Sequence, residues 1–237
     1  MASTVIKNWD NKTWLSSKDY IKSFNKFLLK NIKLNSNSKV LDIGCGRGKI
    51  VGNLNSKFKF KNKPIGIDII NHKDKDKRIR FKQISASTFF FKNKIKFDLI
   101  LIKQTIHLLN FKDIKTLLNL SKKNLNKNGK IFIFTLDTFK NEIPTFTLMK
   151  SNLLRSLKKD TKILKLKKKL FKHKEIKFIY RVNIIKKKYI KMIENRYISC
   201  LLNVSNKQLN KGIDEIKLKF KNPIEFTDTL KCISFRK

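Results

Sequence analysis

The run Val40-Leu41-Asp42-Ile43-Gly44-Cys45-Gly46-Arg47-Gly48 constrains this chain more than any other stretch. Val40 to Ile43 are apolar but for one acid, the pattern of a short buried strand. Three glycines at alternate positions follow, and Lys49-Ile50-Val51-Gly52-Asn53-Leu54 then has the character of a helix start. A strand that turns through glycines into a helix makes a cradle for a nucleotide, because glycine admits positive φ and sets no Cβ against the ligand. Spacing narrows the ligand. The dinucleotide fingerprint needs a third glycine where Lys49 stands, and here it comes one residue early, at Gly48. A pyrophosphate asks for the charge of a helix N-terminus; a ligand without phosphate asks mainly for close approach to the backbone.

The following residues extend the pattern. Pro64 to Ile70 reads as a second buried strand, and its acid, Asp68, lies twenty residues beyond Gly48. That is where an acid takes both ribose hydroxyls of a nucleoside, although a solvated strand-end residue is the plainer alternative. Arg80 to Ile84 is a third strand, followed by Ser85-Ala86-Ser87, and Phe97 to Ile102 a fourth, followed by Lys103-Gln104-Thr105-Ile106-His107-Leu108-Leu109. Asp113 to Leu125 has helical spacing, and Lys127-Asn128-Gly129-Lys130 is expected to turn into a fifth strand, Ile131 to Thr135. Five strand–helix units therefore fit between residues 38 and 137. Ahead of them, residues 1–37 read as a helical lead-in that Ser17 caps, with Trp9 and Trp14 either closing over the ligand or packing in the core.

Beyond residue 137 the expectation is helix over 145–174, a strand from Phe178 to Ile185, helices over Lys188–Leu201 and Ser205–Phe220, and a last strand from Ile224 to Phe235. The lysine-laced stretch 145–174 is read as a globular helix with solvated lysines, with a membrane-surface helix as the alternative. The helices over 145–174 and 188–220 form a cap, so the 237 residues make one domain.

Gly-x-Gly-x-Gly after an acidic strand end, with Asp68 after the next strand, resembles the class I S-adenosylmethionine-dependent methyltransferases. Gln104-Thr105-Ile106-His107-Leu108-Leu109 resembles their small-molecule branch. The tail, in Tyr189-Ile190 to Ser199, Gly212-Ile213 to Ile216 and Phe226 to Leu230, is similar to trans-aconitate methyltransferases and their relatives. The resemblance implies an α/β fold, a doubly wound, seven-stranded, mostly parallel sheet of Rossmann-like type with a helical cap. It also implies S-adenosylmethionine as cofactor, held by Asp42, Gly44, Cys45, Gly46, Gly48, Asp68, Ile69, Ser85, Ala86 and Lys103. Asp42 would face the methionine ammonium and Asp68 the ribose. Ser85 stands where the family usually carries an acid for the adenine amino group, so the position departs from the pattern.

The Asn/Asp-Pro-Pro-aromatic tetrad of the enzymes that methylate base amines is absent from the sequence. The acceptor is therefore expected to be a small metabolite, a carboxylate among the candidates. An RNA or protein methyltransferase and a non-catalytic cofactor-binding protein are the rival readings. The net charge of +40 favours nucleic acid, but seven of the 57 basic residues are arginine, the residue preferred for bidentate phosphate contacts. Lys, Asn, Ile and Phe share A/T-rich codons, which gives the charge a second explanation.

For the acceptor side, His107 is the candidate base or hydrogen-bond donor, against a satisfied core histidine. Arg196 is the candidate carboxylate fork, with Tyr180 and Arg181 as weaker substrate contacts; an ion pair of Arg196 with Glu194 or Asp228 is the structural alternative. No metal set is expected, since Cys45, Cys200 and Cys232 are scattered, and the same scatter points to a reducing, cytoplasmic setting. No apolar run approaches the length of a membrane span, and residues 1–10 carry no signal-peptide core.

Overall fold

After a short 3-10 turn at Trp14–Ser16 comes a helix with one apolar stripe and a Ser cap. In the computed structural model, which describes residues 13–137, 140–168 and 173–237, α1 covers Lys18–Asn31. Ser17 Oγ accepts from the Tyr20 N–H, and Tyr20, Ile21, Phe24 and Leu28 are buried along the stripe. The chain continues as β1 (Val40–Ile43), α2 (Lys49–Phe58), β2 (Ile65–Asp68), β3 (Arg80–Gln83), α3 (Ala86–Lys92), β4 (Phe97–Lys103), α4 (Phe111–Lys123) and β5 (Leu125–Leu136). Then come α5 (Thr147–Lys168), β6 (His173–Ile184), α6 (Lys186–Glu194), α7 (Asn206–Lys219) and β7 (Ile224–Arg236).

The strands form one seven-stranded sheet in the order β3-β2-β1-β4-β5-β7-β6. Pairing from β3 to β5 is parallel, and β7 runs antiparallel to both β5 and β6. The strand order reverses beside β1, between β1 and β4, so their carboxyl ends open a crevice there. Two apolar layers flank the sheet. One gathers α1, α2 and the later helices over Val40, Leu99, Leu101, Phe132, Phe134, Leu230 and Cys232. The other sets α3 and α4 over Leu41, Ile43, Ile100, Ile102, Ile131 and Ile233. Burial on both faces is why β1 and β4 read as continuous apolar runs instead of alternating.

The structure corrects several expected boundaries. The turn at Lys127–Lys130 is a bulge inside β5: Leu125 already pairs with Phe97, and pairing resumes with Lys130 opposite Leu99. Of the helix expected to reach 174, the described part is Thr147–Lys168, and His173 already pairs with Phe235 in the long ribbon that β6 makes with β7. The helix expected over Lys188–Leu201 stops at Glu194, because Arg196 takes φ 49°, and only a short 3-10 turn, Ser199–Leu201, follows. Met149, Leu153 and Leu157 of α5 are buried, so this helix packs against the protein through that face. No helix among the described residues is long and apolar enough to cross a membrane. Trp9 lies outside the described residues.

Candidate functional site

The glycine loop is shaped by its neighbours. Gly44, Gly46 and Gly48 all have positive φ, 67°, 54° and 71°. A Cβ on Gly44 would lie 2.2 Å from Thr105 Oγ1, which sits beneath the loop and donates to the Lys103 carbonyl at 3.0 Å. A Cβ on Gly46 would meet nothing within 4 Å, so this glycine faces the open cradle. Asp42, Gly44, Cys45, Gly46, Gly48 and Lys103 line one small cavity together with Leu15, Arg47, Lys49 and Ile50. The family resemblance implied the first six; Leu15 comes from the lead-in and carries no motif.

Asp42 is 3% exposed, and burial pushes its carboxyl up to about 7, with Lys103 offsetting the shift in part and Asp68 adding to it. A buried acid in that state complements an ammonium. Asp68 is held the opposite way. Its Oδ2 accepts from the Gly46 N–H at 2.9 Å and its Oδ1 from the Ile70 N–H at 3.0 Å. Burial opposes ionisation, yet buried His72 and these two N–H groups keep the carboxyl below its ordinary value. Oδ1 keeps a lone pair for a diol, whereas Oδ2 also faces His72 Nε2 at 3.7 Å. Ile69 next to it is 65% exposed, an apolar side chain left open at the loop edge. Burial also drives the Cys45 thiol well above its usual range, so it is not a nucleophile.

Ser85 and Ala86 stand at the start of α3. The Ser85 hydroxyl caps that helix, accepting from the Thr88 N–H at 3.2 Å, with Thr88 Oγ1 at 2.8 Å and Ser87 Oγ at 3.1 Å. Lys103 ends β4 half-buried. Its Nζ donates to Gln104 Oε1 at 2.7 Å and lies 5.3 Å and 5.7 Å from the ring centroids of Tyr20 and Phe24. Gln104 holds φ 50°, a left-handed backbone at the carboxyl end of the central strand. His107 follows in a short 3-10 turn, half-buried, and burial lowers its imidazole to about 4. It is neutral at neutral pH.

The acceptor candidates do not converge. The Arg196 guanidinium donates to the Val204 carbonyl and Asn206 Oδ1, both at 2.9 Å, and so ties together the loop between α6 and α7. That is neither a fork facing the cavity nor the ion pair with Glu194 or Asp228. Tyr180 and Arg181 are neighbours on β6 and point to opposite faces: Tyr180 packs edge-on against Tyr20 at 5.0 Å, whereas Arg181 is exposed. A wider hollow of about 550 Å³, lined by Asn152, Arg155, Ser199 and Gln208 among others, lies between α5 and α7 and includes no residue of the glycine loop. Among the described residues no cluster could hold a metal ion.

Comparison with known proteins agrees with the cradle. Residues 34–196 match the family described as Methyltransferase domain, more than half of the chain. No curated protein matches by sequence. Among solved structures, the chain is similar to a protein described as a methyltransferase from an antibiotic biosynthesis pathway of Anabaena variabilis, at 13% identity and TM-score 0.59, covering 90% of this chain and 96% of that one. It is also similar to a SAM-dependent methyltransferase from Archaeoglobus fulgidus, at 17% identity and TM-score 0.53, covering 93% and 95%. The plantazolicin methyltransferase, solved with a desmethylPZN analog and SAH, aligns at 15% identity and TM-score 0.54, covering 97% and 89%. At these identities the neighbours establish a shared fold, and the family match carries the assignment: the chain belongs to the methyltransferase-domain family and is an S-adenosylmethionine-dependent methyltransferase.

Proposed function

We propose that this methyltransferase acts on a small molecule under cover of the lead-in and the cap. The observation that carries the reading is burial at the carboxyl end of β4: Trp14, Tyr20 and Tyr197 are each at most 6% exposed, and the Lys103 ammonium lies over the Tyr20 ring. A polymer would need an open groove there. The sequence Lys103-Gln104-Thr105-Ile106 at the end of β4 also lacks the tetrad that holds a base amine. The likeness of the tail to trans-aconitate methyltransferases supports the same branch. The carboxylate expectation loses its main support, because the Arg196 guanidinium is already bonded within the cap.

The residues fit the cofactor. Asp42 would hold the methionine ammonium, Gly46 would admit the ligand to the backbone, and Asp68 would take the ribose diol. Ile69 would support the adenine, with Ser85 and Ala86 at its edge; with its hydroxyl used as a cap, Ser85 would contribute less than an acid. Bound S-adenosylmethionine supplies a methyl group already activated on a sulfonium, so the protein's task is positioning and exclusion of water. Lys103 lines the cofactor cavity and sets its ammonium over the ring of buried Tyr20, so it joins the cavity to the aromatic cluster. His107 would serve as a neutral hydrogen-bonding group, since its lowered pKa makes it a weak base.

Incubation with methyl-labelled cofactor and a cell extract split into metabolites, RNA and protein tests the reading. Label is expected in the metabolite fraction. Label confined to RNA or protein refutes it.

A further inference from the structure

Two buried polar atoms near the site lack partners among the described residues: Asp228 Oδ1 and Tyr20 Oη. Asp228 lies near the start of β7, two positions before Leu230, which pairs with Leu136 at the carboxyl end of β5. Its neighbour Thr229 accepts from the Asp137 N–H at 2.9 Å. Asp228 therefore sits at the end of the sheet where β1 and β4 deliver Asp42 and Lys103. Alternation along the strands puts all three on one face, the face of Val40, Leu101 and Leu230.

Aromatic rings surround Asp228. Trp14 Nε1 donates to its Oδ2 at 3.0 Å, and Trp14 packs edge-on against Tyr197 at 5.4 Å and Phe226 at 5.1 Å. Tyr20 stands edge-on to Tyr180, the β6 residue paired with Asp228. Both Asp228 and Tyr20 are 0% exposed. Burial raises the Asp228 carboxyl, while the Trp14 bond and the charge of Lys103 pull it back. The Lys103 ammonium lies over the Tyr20 and Phe24 rings and bonds to Gln104, not to Asp228.

We propose that Asp228 and Tyr20 form the acceptor subsite, and that the group they receive is an amine. This rests on the methyltransferase reading and names its substrate class. A carboxylate with one unused oxygen inside an aromatic box matches an ammonium, through charge-assisted hydrogen bonding and through the negative faces of the rings. Lys103 shows that these rings accept a cation. A carboxylate acceptor would instead meet a like charge in a dry site, at a cost its own hydrogen bonds would not offset. Once bound, the ammonium gives one proton to Asp228 Oδ1. The products are a neutral carboxylic acid and a neutral amine, whose nitrogen lone pair would take the methyl group as the methyl–sulfur bond breaks, leaving S-adenosylhomocysteine and a methylammonium. The Tyr20 hydroxyl oxygen accepts from a remaining N–H of the same nitrogen and orients it.

The test uses three small probes of one shape: ethylamine, ethanol and acetate. The full-length chain in a Trp9→Phe background, where Trp14 is the remaining tryptophan, is titrated with each probe in the presence of saturating S-adenosylhomocysteine. Binding of S-adenosylhomocysteine itself is measured separately by calorimetry. Ethylamine is expected to change Trp14 fluorescence saturably while ethanol and acetate do not. Asp228→Asn should weaken the ethylamine response at least about tenfold, and Tyr20→Phe several-fold. A response to acetate in preference to ethylamine overturns the proposal, as does an ethylamine response unchanged in both variants. If S-adenosylhomocysteine binds and Trp14 ignores ethylamine, the amine subsite alone falls; if S-adenosylhomocysteine does not bind, the cofactor reading falls with it.

Discussion

Cofactor binding should expel a proton from Asp42. The carboxyl is buried, and even with Lys103 nearby its pKa stands at about 7. An ammonium favours the ionised form, so the ligand-bound value is lower, and affinity is full above about 7 and lost as the pH falls through that value. At about pH 6 roughly 90% of the carboxyls carry a proton, so binding should release about 0.9 proton; at about pH 7.5 the release should fall to roughly 0.25. Below the unliganded value, affinity should drop about tenfold per pH unit, about 1.4 kcal/mol, until the bound-state value is reached. Calorimetry with S-adenosylhomocysteine in buffers of contrasting ionisation enthalpy measures the release directly. Asp42→Asn should abolish the buffer dependence and weaken binding at neutral pH. Binding heats at about pH 6 that are the same in every buffer would refute the reasoning, because they would mean that Asp42 is already ionised or never meets the ammonium.

The remaining expectations are narrower. Gly46→Ala should leave a folded protein, since its Cβ enters open space and the left-handed backbone costs about 1–2 kcal/mol, yet reduce S-adenosylhomocysteine affinity at least about tenfold in calorimetry. Asp68→Ala should weaken the same binding by about 1–3 kcal/mol; unchanged affinity would remove Asp68 from the ribose site. His107→Asn should leave the shape of the pH–rate profile between about pH 6 and 8 unaltered even where kcat falls, because burial has moved the imidazole to about 4. Loss of a limb near the ordinary histidine value would contradict that. Asp228→Asn should raise the melting temperature, and more so as pH rises: the folded carboxyl is shifted above its unfolded value, so its ionisation costs stability at higher pH and nothing at low pH.

What the sequence disclosed was local, and what it withheld was remote. The strand, glycine loop and helix over residues 40–58 are contiguous, so apolar runs and glycine spacing suffice to place them. The position of Asp68 was legible because it ends the next strand, and the sheet register sets that strand beside the first. Ser17 and Ser205 announce α1 and α7 because a cap acts within three residues. Thr105 was not legible as the support of Gly44, since the contact joins positions 61 apart. The Trp14–Asp228 bond spans 214 positions, and no periodicity connects a lead-in tryptophan to the final strand. Arg196 failed for a related reason: rarity among lysines marks a position, but only the fold shows that its guanidinium closes the loop to Val204.

The net charge bears on the same site. A chain at +40 repels any cationic ligand at a distance, yet S-adenosylmethionine carries an ammonium and a sulfonium. The conflict is resolved by depth. Fields of exposed lysines decay over about 8 Å at physiological salt, whereas acids buried at the end of the sheet are screened far less. Asp42, at 3% exposure, and Asp228, at 0%, are therefore the charges a ligand meets at close range, and Lys103 lies where it lowers the pKa of both. Added salt should consequently change the rate at which the cofactor arrives more than the strength with which it is held. Neutralising Asp42 should do the reverse.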